Sequence, residues 1–249
     1  MIHFNKANSY KDNSKEISNM IKAVLFDLDG TFADTAPDLA AALNQVLQEE
    51  GKAPLAFDII RPVVSHGSIA LIRLGFHFSD QDVNEKQFDF ERLRLRLLDI
   101  YLNNISNLTT VFDGIETLLA KLEANQIAWG IVTNKPSWLT DPLMEQMAYS
   151  QRAATIISGD TTREQKPDPG PLFYACEQIN CLPSECVYVG DAERDIIAGN
   201  AAGMITLTAL FGYIEANDTP ENWGADAMIK HPEEIENFLN KIILFKQQD

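Results

Sequence analysis

The sequence predicts an α/β protein organised on a parallel sheet, with a separate helical unit inserted near its beginning. Three observations carry that prediction. Short apolar runs recur along the chain, and each ends abruptly in polar residues. From Val111 onward these runs alternate with segments of helical periodicity, the pattern of βαβ units. Between Pro37 and Leu108 nothing reads as a strand, so that stretch is an all-helical insert.

The first run, Ile21 to Phe26, is broken only by Lys22 and ends in Asp27, Asp29, Gly30 and Thr31. An apolar run bounded by a turn signal reads as a buried parallel strand. Thr35-Ala36-Pro37-Asp38 then has the form of a helix start, with Thr35 as cap, an early proline and an acid in the first turn. Leu39, Ala42, Leu43, Val46 and Leu47 continue that helix until Gly51. A second helical piece covers Ala56 to Val64, Ser65-His66-Gly67-Ser68 breaks it, and Ile69, Ile72 and Leu74 mark a third. Phe90, Leu93, Leu97, Ile100 and Tyr101 form the stripe of a longer helix, with Arg92, Arg94 and Arg96 on its other faces.

Asp113 and Glu116 have capping-box spacing ahead of Ile115, Leu118, Leu119 and Leu122. Strands are expected at Ile127–Val132, Ala154–Ser158, Cys186–Val189 and Ile205–Leu210. The helices between them run through Leu139 and Leu143, through Leu172, Ala175, Cys176 and Ile179, and through Ile196, Ile197 and Ala201. The predicted division is a core of residues 20–36 and 109–249, a helical cap of 37–108, and a disordered polar extension of 1–19. That extension lacks the apolar centre of a signal peptide, which points to the cytoplasm.

A formal net charge of -16, with no basic stripe against it, argues against a nucleic-acid partner. No apolar run approaches bilayer-spanning length, so no membrane partner is expected. Oligomeric state is not legible. Cys176, Cys181 and Cys186 are odd in number and lack CxxC spacing, so they read as buried thiols in a reducing compartment rather than as a zinc cluster.

Four strands release the chain into four polar clusters: Asp27, Asp29 and Thr31; Thr133-Asn134; Lys166; and Asp191 with Asp195. A parallel sheet brings these ends to one edge, where ligands of open α/β sheets bind. The set supplies a nucleophile, a second carboxylate, hydroxyl and amide donors, a cation and metal-binding acids, the parts that phosphoryl transfer requires. Each member alone has a bland alternative. Asp-Gly after a strand is often a turn, Thr133-Asn134 a helix cap, Lys166 a solvated lysine, and Asp191 with Asp195 first-turn acids. Four such coincidences in order are a poor account of the chain.

Asp27-x-Asp29-Gly30-Thr31, Thr133, Lys166 and Gly190-Asp191-x-x-x-Asp195 resemble, in order, the four motifs of the haloacid-dehalogenase-superfamily phosphatases. The resemblance implies a Rossmann-like three-layer core with an all-helical C1 cap. It implies that Asp27 attacks phosphorus to form an aspartyl-phosphate, and that Asp29 acts as general acid and then base. It further implies Mg²⁺ held by Asp27, the Asp29 carbonyl and Asp191, with Asp195 orienting its water. Thr133, the Asn134 amide and Lys166 would hold the phosphoryl oxygens. Two positions depart from the pattern: Ala192 stands where many relatives carry an acid or hydroxyl, and Phe32 replaces a smaller aliphatic residue.

The helical insert resembles the lid of the phosphoglycolate phosphatase-like group. Its loop Ser65-His66-Gly67-Ser68 is expected to face substrate, with His66, Gly67 and Arg73 as specificity residues. Thr133-Asn134-Lys135-Pro136, Phe211-Gly212-Tyr213-Ile214, Asn222-Trp223-Gly224-Ala225-Asp226 and His231-Pro232 resemble the N-acetylmuramic acid 6-phosphate phosphatases. The implied substrate is a small phosphomonoester of either kind. A β-phosphoglucomutase-like sugar-phosphate mutase shares the motifs, and a catalytically silent binding protein of this fold is the alternative from a different class.

Overall fold

The structure, a computed structural model, describes residues 21–79 and 87–246; the expected extension over 1–19 lies outside them. Six strands form one sheet: β1 (Ala23–Phe26), β4 (Ala128–Val132), β5 (Thr155–Ile157), β6 (Cys186–Gly190), β7 (Ile205–Ala209) and β8 (Ala227–Ile229). Their order is β5-β4-β1-β6-β7-β8, and every pairing is parallel. The chain builds outward from β1 to one side, then returns to build the other side from β6. The carboxyl end of β1 therefore lies at the topological switch point, where such sheets open a crevice.

Strand residues alternate between two buried clusters. Val24 and Phe26 join Ile131, Val187 and Val189 on one face, with Leu118, Leu143 and Ile235 from the helices that cover it. Ala23 and Leu25 join Tyr188 on the other, with Leu172, Ala175 and Ala198. Both faces are covered, the three-layer arrangement that makes parallel strands apolar throughout. The helices of the core are α5 (Ile115–Ala124), α6 (Ser137–Gln146), α7 (Gly170–Ile179), α8 (Glu193–Ala202) and α9 (Glu233–Lys246).

The insert consists of α1 (Ala36–Glu49), α2 (Phe57–Ile60) continued by a 3₁₀ segment at Arg61–His66, α3 (Gly67–Phe76) and α4 (Gln87–Asn103). Its buried stripe, including Leu43, Leu71, Leu97 and Tyr101, is continuous with the first face of the sheet. A two-stranded antiparallel ribbon, β2 (Ala33–Asp34) with β3 (Thr110–Val111), joins its entry and exit. Phe57–Phe76 has the length and the mean hydropathy of 1.2 to cross a membrane, which revises the expectation that no run approaches that length. It is not one straight helix: Gly67 at φ +76 separates the 3₁₀ segment from α3.

Several local expectations are corrected. Ala227–Ile229 adds a sixth strand that is too short to show periodicity. The Asp113–Glu116 capping box does not form, because α5 starts after Gly114 at φ +92 with no side-chain cap. Thr35 precedes α1 as expected but does not cap it; its hydroxyl donates to Asp29 instead.

Candidate active site

Asp27 leaves β1 with its backbone N–H still paired to Val189, which fixes it beside β6 at the crevice. It is 3% exposed, Asp191 is 1% exposed and Asp195 is fully buried. One carboxylate oxygen from each of these three lies within 4.8 Å of the others. Lys166 places Nζ 2.8 Å from Asp27 Oδ1 and 2.7 Å from Asp195 Oδ1, while donating to the Val132 carbonyl and the Tyr188 hydroxyl. Those last two groups take two of its three N–H donors, which leaves one for an acidic or phosphoryl oxygen. Neither carboxylate oxygen receives a hydrogen bond of good geometry, so both feel Lys166 chiefly as charge.

Asp191 is held from three sides. Thr31 donates to Oδ1, while Ser65 of the insert and the Tyr213 backbone N–H donate to Oδ2. Burial, with Asp27 and Asp195 nearby, still pushes its carboxyl up to about 7. Burial raises Asp195 as well, although Lys166 works against it. Asp191 and Asp195, both pushed up by burial and by neighbouring acids, and two buried carboxylate oxygens lacking hydrogen bonds fit a hard divalent cation with oxygen ligands. Gly30 is required here: it sits at φ +86, and a Cβ would run into the Asp191 carboxylate. Gly212 is equally confined, because a Cβ there would meet Asp191 and the Gly30 carbonyl.

Asp29 stands between core and insert. Thr35 and Lys135 both donate to its Oδ1, the latter at 3.0 Å, and Lys135 also donates to Tyr101 of α4 at 3.0 Å. Burial acts to lower the Lys135 ammonium, but Asp29 and Tyr101 overcome it and hold Lys135 charged. Thr133 is buried, and its Oγ1 accepts the Lys135 backbone N–H, leaving its own proton for another acceptor. The Asn134 side chain donates to the Lys166 carbonyl and accepts the Lys166 backbone N–H. Both of its polar atoms thus tie the Thr133-Asn134 loop to the Lys166 loop.

Above these groups lies a cavity of about 680 Å³ lined by Asp27, Asp29, Thr133 and Asn134 below and by the insert above. Its apolar wall includes Ile69, Leu95, Leu98 and Trp138, and its polar groups include His66, Arg94 and Gln165. Of the expected insert residues, His66 and Gly67 line it, with His66 Nε2 2.8 Å from Glu215. Arg73 is exposed on α3 and is not among the lining residues. Arg92 and Arg96 are drawn to Glu50 and Glu49; Arg94, the member of that set at the cavity, is paired with Glu91 of its own helix. Lys135, Tyr101, Trp138, Arg194 and Tyr213 lie outside the expected set. Lys135 had two sequence signals, its adjacency to Thr133-Asn134 and its place in the Thr133-Asn134-Lys135-Pro136 resemblance. Trp223 belongs to a surface segment tied to α8 through Asn200 and Gly224, at the edge where β7 begins, and has no part in the cavity.

A buried carboxylate at the switch point, grouped with two further acids and a buried lysine below a cavity that the insert covers, marks the candidate site of an enzyme built on a parallel sheet. Residues 24–209 match the haloacid dehalogenase-like hydrolase family, and the chain belongs to that family. A phosphoglycolate phosphatase from Xanthomonas campestris pv. campestris (strain 8004) is 42% identical over 86% of this chain and 94% of its own length. An N-acetylmuramic acid 6-phosphate phosphatase from Pseudomonas putida is 38% identical over 90% of this chain and 98% of its own. The crystal structure of a predicted phosphoglycolate phosphatase from Haemophilus somnus shares the fold at a TM-score of 0.77 and 22% identity. That match covers 89% of this chain and 99% of the other.

Proposed function

We propose that the protein is a Mg²⁺-dependent phosphomonoesterase whose substrate is a sugar-sized phosphate carrying an acid group, of the N-acetylmuramic acid 6-phosphate kind. The observation that carries the size is the cavity: about 680 Å³ with an aromatic and aliphatic wall far exceeds what a two-carbon phosphate fills. Trp138, 46% exposed in the same cavity, brings an aromatic surface suited to a sugar ring, and Arg94 and His66 bring basic groups that a substrate carboxylate would share with their present partners, Glu91 and Glu215.

In the proposed reaction Asp27 attacks phosphorus, its P–O bond forming as the ester P–O bond breaks. Asp29 protonates the leaving alkoxide and then takes a proton from the water that hydrolyses the aspartyl-phosphate. Such help is worth about 10²–10⁴-fold. Thr133, the Asn134 backbone N–H and Lys166 hold the phosphoryl oxygens, and Lys166 keeps the acids from repelling them. Asp27, the Asp29 carbonyl and Asp191 would hold Mg²⁺, which would neutralise charge on the phosphate, while Asp195 is positioned by Lys166 and the Ala192 N–H. The insert, residues 37–108, acts as lid and excludes water. We place the reaction in the cytoplasm, where the three free thiols stay reduced.

The test is phosphate release, with and without Mg²⁺, from N-acetylmuramic acid 6-phosphate, phosphoglycolate and hexose phosphates, with Asp27→Asn as control. A higher kcat/KM on the muramic compound supports the proposal. A preference for phosphoglycolate overturns the size argument, and isomerisation without phosphate release would make the protein a mutase.

A further inference from the structure

The three cysteines, set aside in sequence as separate buried thiols, converge at the opposite edge of the sheet from the active site. Cys176 lies in the last turns of α7, Cys181 follows that helix, and Cys186 opens β6. Cys181 Sγ is 3.0 Å and Cys176 Sγ 3.7 Å from Cys186 Sγ, and all three sulfurs fall within 4.8 Å of one another. Cys176 and Cys186 are buried among Ala23, Leu25 and Ala175, while Cys181 is half-buried and opens the cluster to solvent. The spacing Cys-x₄-Cys-x₄-Cys hides the site, because it is neither a CxxC loop nor a helical i, i+4 pair. A helix terminus and a strand start bring the sulfurs together.

We propose that Cys176, Cys181 and Cys186 form a three-thiolate site for a soft monovalent cation of the copper(I) class. The number of donors is the first argument: a disulfide would use two sulfurs and strand the third, whereas here Cys186 touches both partners. The geometry is the second. Thiolates around one ion at a metal–sulfur distance of about 2.3 Å stand roughly 3.8–4.0 Å apart. Cys176 and Cys186 are already near that separation, and Cys181 must withdraw by less than about 1 Å.

The donor set also selects the ion. Three sulfurs with no fourth His, Cys, Asp or Glu grouped with them among the described residues suit a three-coordinate soft cation better than tetrahedral zinc. Glu185, the nearest acid, is held by Lys22 and the Leu182 N–H. The S–H groups of Cys176 and Cys186 favour the thiolate at Cys181 and lower its pKa, which puts the charged sulfur at the solvent side where an ion would enter. Binding displaces the remaining thiol protons to water. Cys186 is four residues from Gly190 along β6, so occupancy leaves the catalytic groups in place; the inference stands apart from the phosphatase reading.

The experiment titrates the reduced full-length protein anaerobically with copper(I) held by a competing bicinchoninate chelator. The expected result is one equivalent retained, ultraviolet thiolate-to-copper absorption, and protection of all three thiols from alkylation. Affinity is expected to fall at least 100-fold in Cys181→Ser, whose position is half exposed, and in Cys176→Ala, with melting curves confirming that both fold. Phosphate release by Cys181→Ser is expected to equal that of the parent. Substoichiometric binding, an affinity equal to the parent's in either variant, tighter retention of Zn²⁺ than of copper(I), or a Cys181–Cys186 disulfide as the sole response would each overturn the proposal.

Discussion

Replacing Lys135 with methionine isolates the interaction that joins the insert to Asp29. Lys135 and Asp29 side chains are 7% and 17% exposed, and Nζ stands 3.0 Å from Oδ1. Unit charges at that distance attract by about 5.5 kcal/mol in an effective dielectric near 20. The desolvation already spent on both groups offsets much of this in the intact protein. Removing one partner nevertheless leaves the other charge buried, which typically costs about 3–5 kcal/mol. Asp29 keeps a path to cavity water and its bond from Thr35, so the lower end, about 3 kcal/mol, applies. For a chain of this size that corresponds to a fall in Tm of roughly 6–12 °C. The assay is a double-mutant cycle of Lys135→Met and Asp29→Asn, read by thermal or urea unfolding without substrate. The reasoning requires a coupling energy above about 1 kcal/mol. Additive losses, or a Lys135→Met protein as stable as the parent, would show that the pair is a bystander.

Trp138→Ala is expected to raise KM about 3–10-fold for a sugar phosphate, the equivalent of one lost aromatic stacking contact. It should leave KM for a two-carbon phosphate unchanged, and an equal shift for both would remove Trp138 from recognition. Gly30→Ala combines a left-handed backbone cost of about 1–2 kcal/mol with displacement of Asp191. Phosphate release should fall at least about 100-fold with a higher Mg²⁺ requirement; normal activity at ordinary Mg²⁺ would count against Asp191 as ligand. The Arg96 hydrogen bonds lower the Glu49 carboxyl to about 2. Its stabilising effect is therefore complete above about pH 4.5 and disappears as pH falls through 2. Melting temperatures of the parent and Glu49→Gln should differ at pH 7 and converge near pH 2, and a gap that persists in acid would break the link to that carboxyl.

Strands buried on both faces announce themselves as apolar runs, so β1, β4, β5, β6 and β7 were readable from residue type alone. Short elements were not: three residues of β8 and the two-residue strands β2 and β3 are too few to display a period. Helix caps failed for a related reason. Thr35 and Asp113 have the composition of caps, but tertiary demand decides where a hydroxyl or carboxylate points, and the Thr35 hydroxyl goes to Asp29. At the site, Asp27, Thr133, Lys166, Asp191 and Asp195 followed from the rule that parallel strand ends share one edge. Lys135, Tyr101, Trp138 and the cysteine cluster could not follow from it, since each depends on how separate segments meet in space.

The loop after β7 shows what such meetings add to function. The Tyr213 backbone N–H positions Asp191, while its hydroxyl donates to Asp34 and accepts the Ala36 N–H, at the strand that leads into the insert. Arg61 of the insert donates to the carbonyls of Phe211 and Gly212 and lies 4.9 Å from the Tyr213 ring. Ser65 reaches Asp191 directly, and Arg194 holds the Ser65 carbonyl. The hinge, the insert and the acid trio therefore share one set of bonds. A displacement of the insert that carries Arg61 and Ser65 away removes one donor from Asp191 and pulls on the backbone that supplies another. The insert thus contributes to the charge environment of the buried acids as well as to the walls of the cavity, and both contributions are complete when Arg61 and Ser65 are seated.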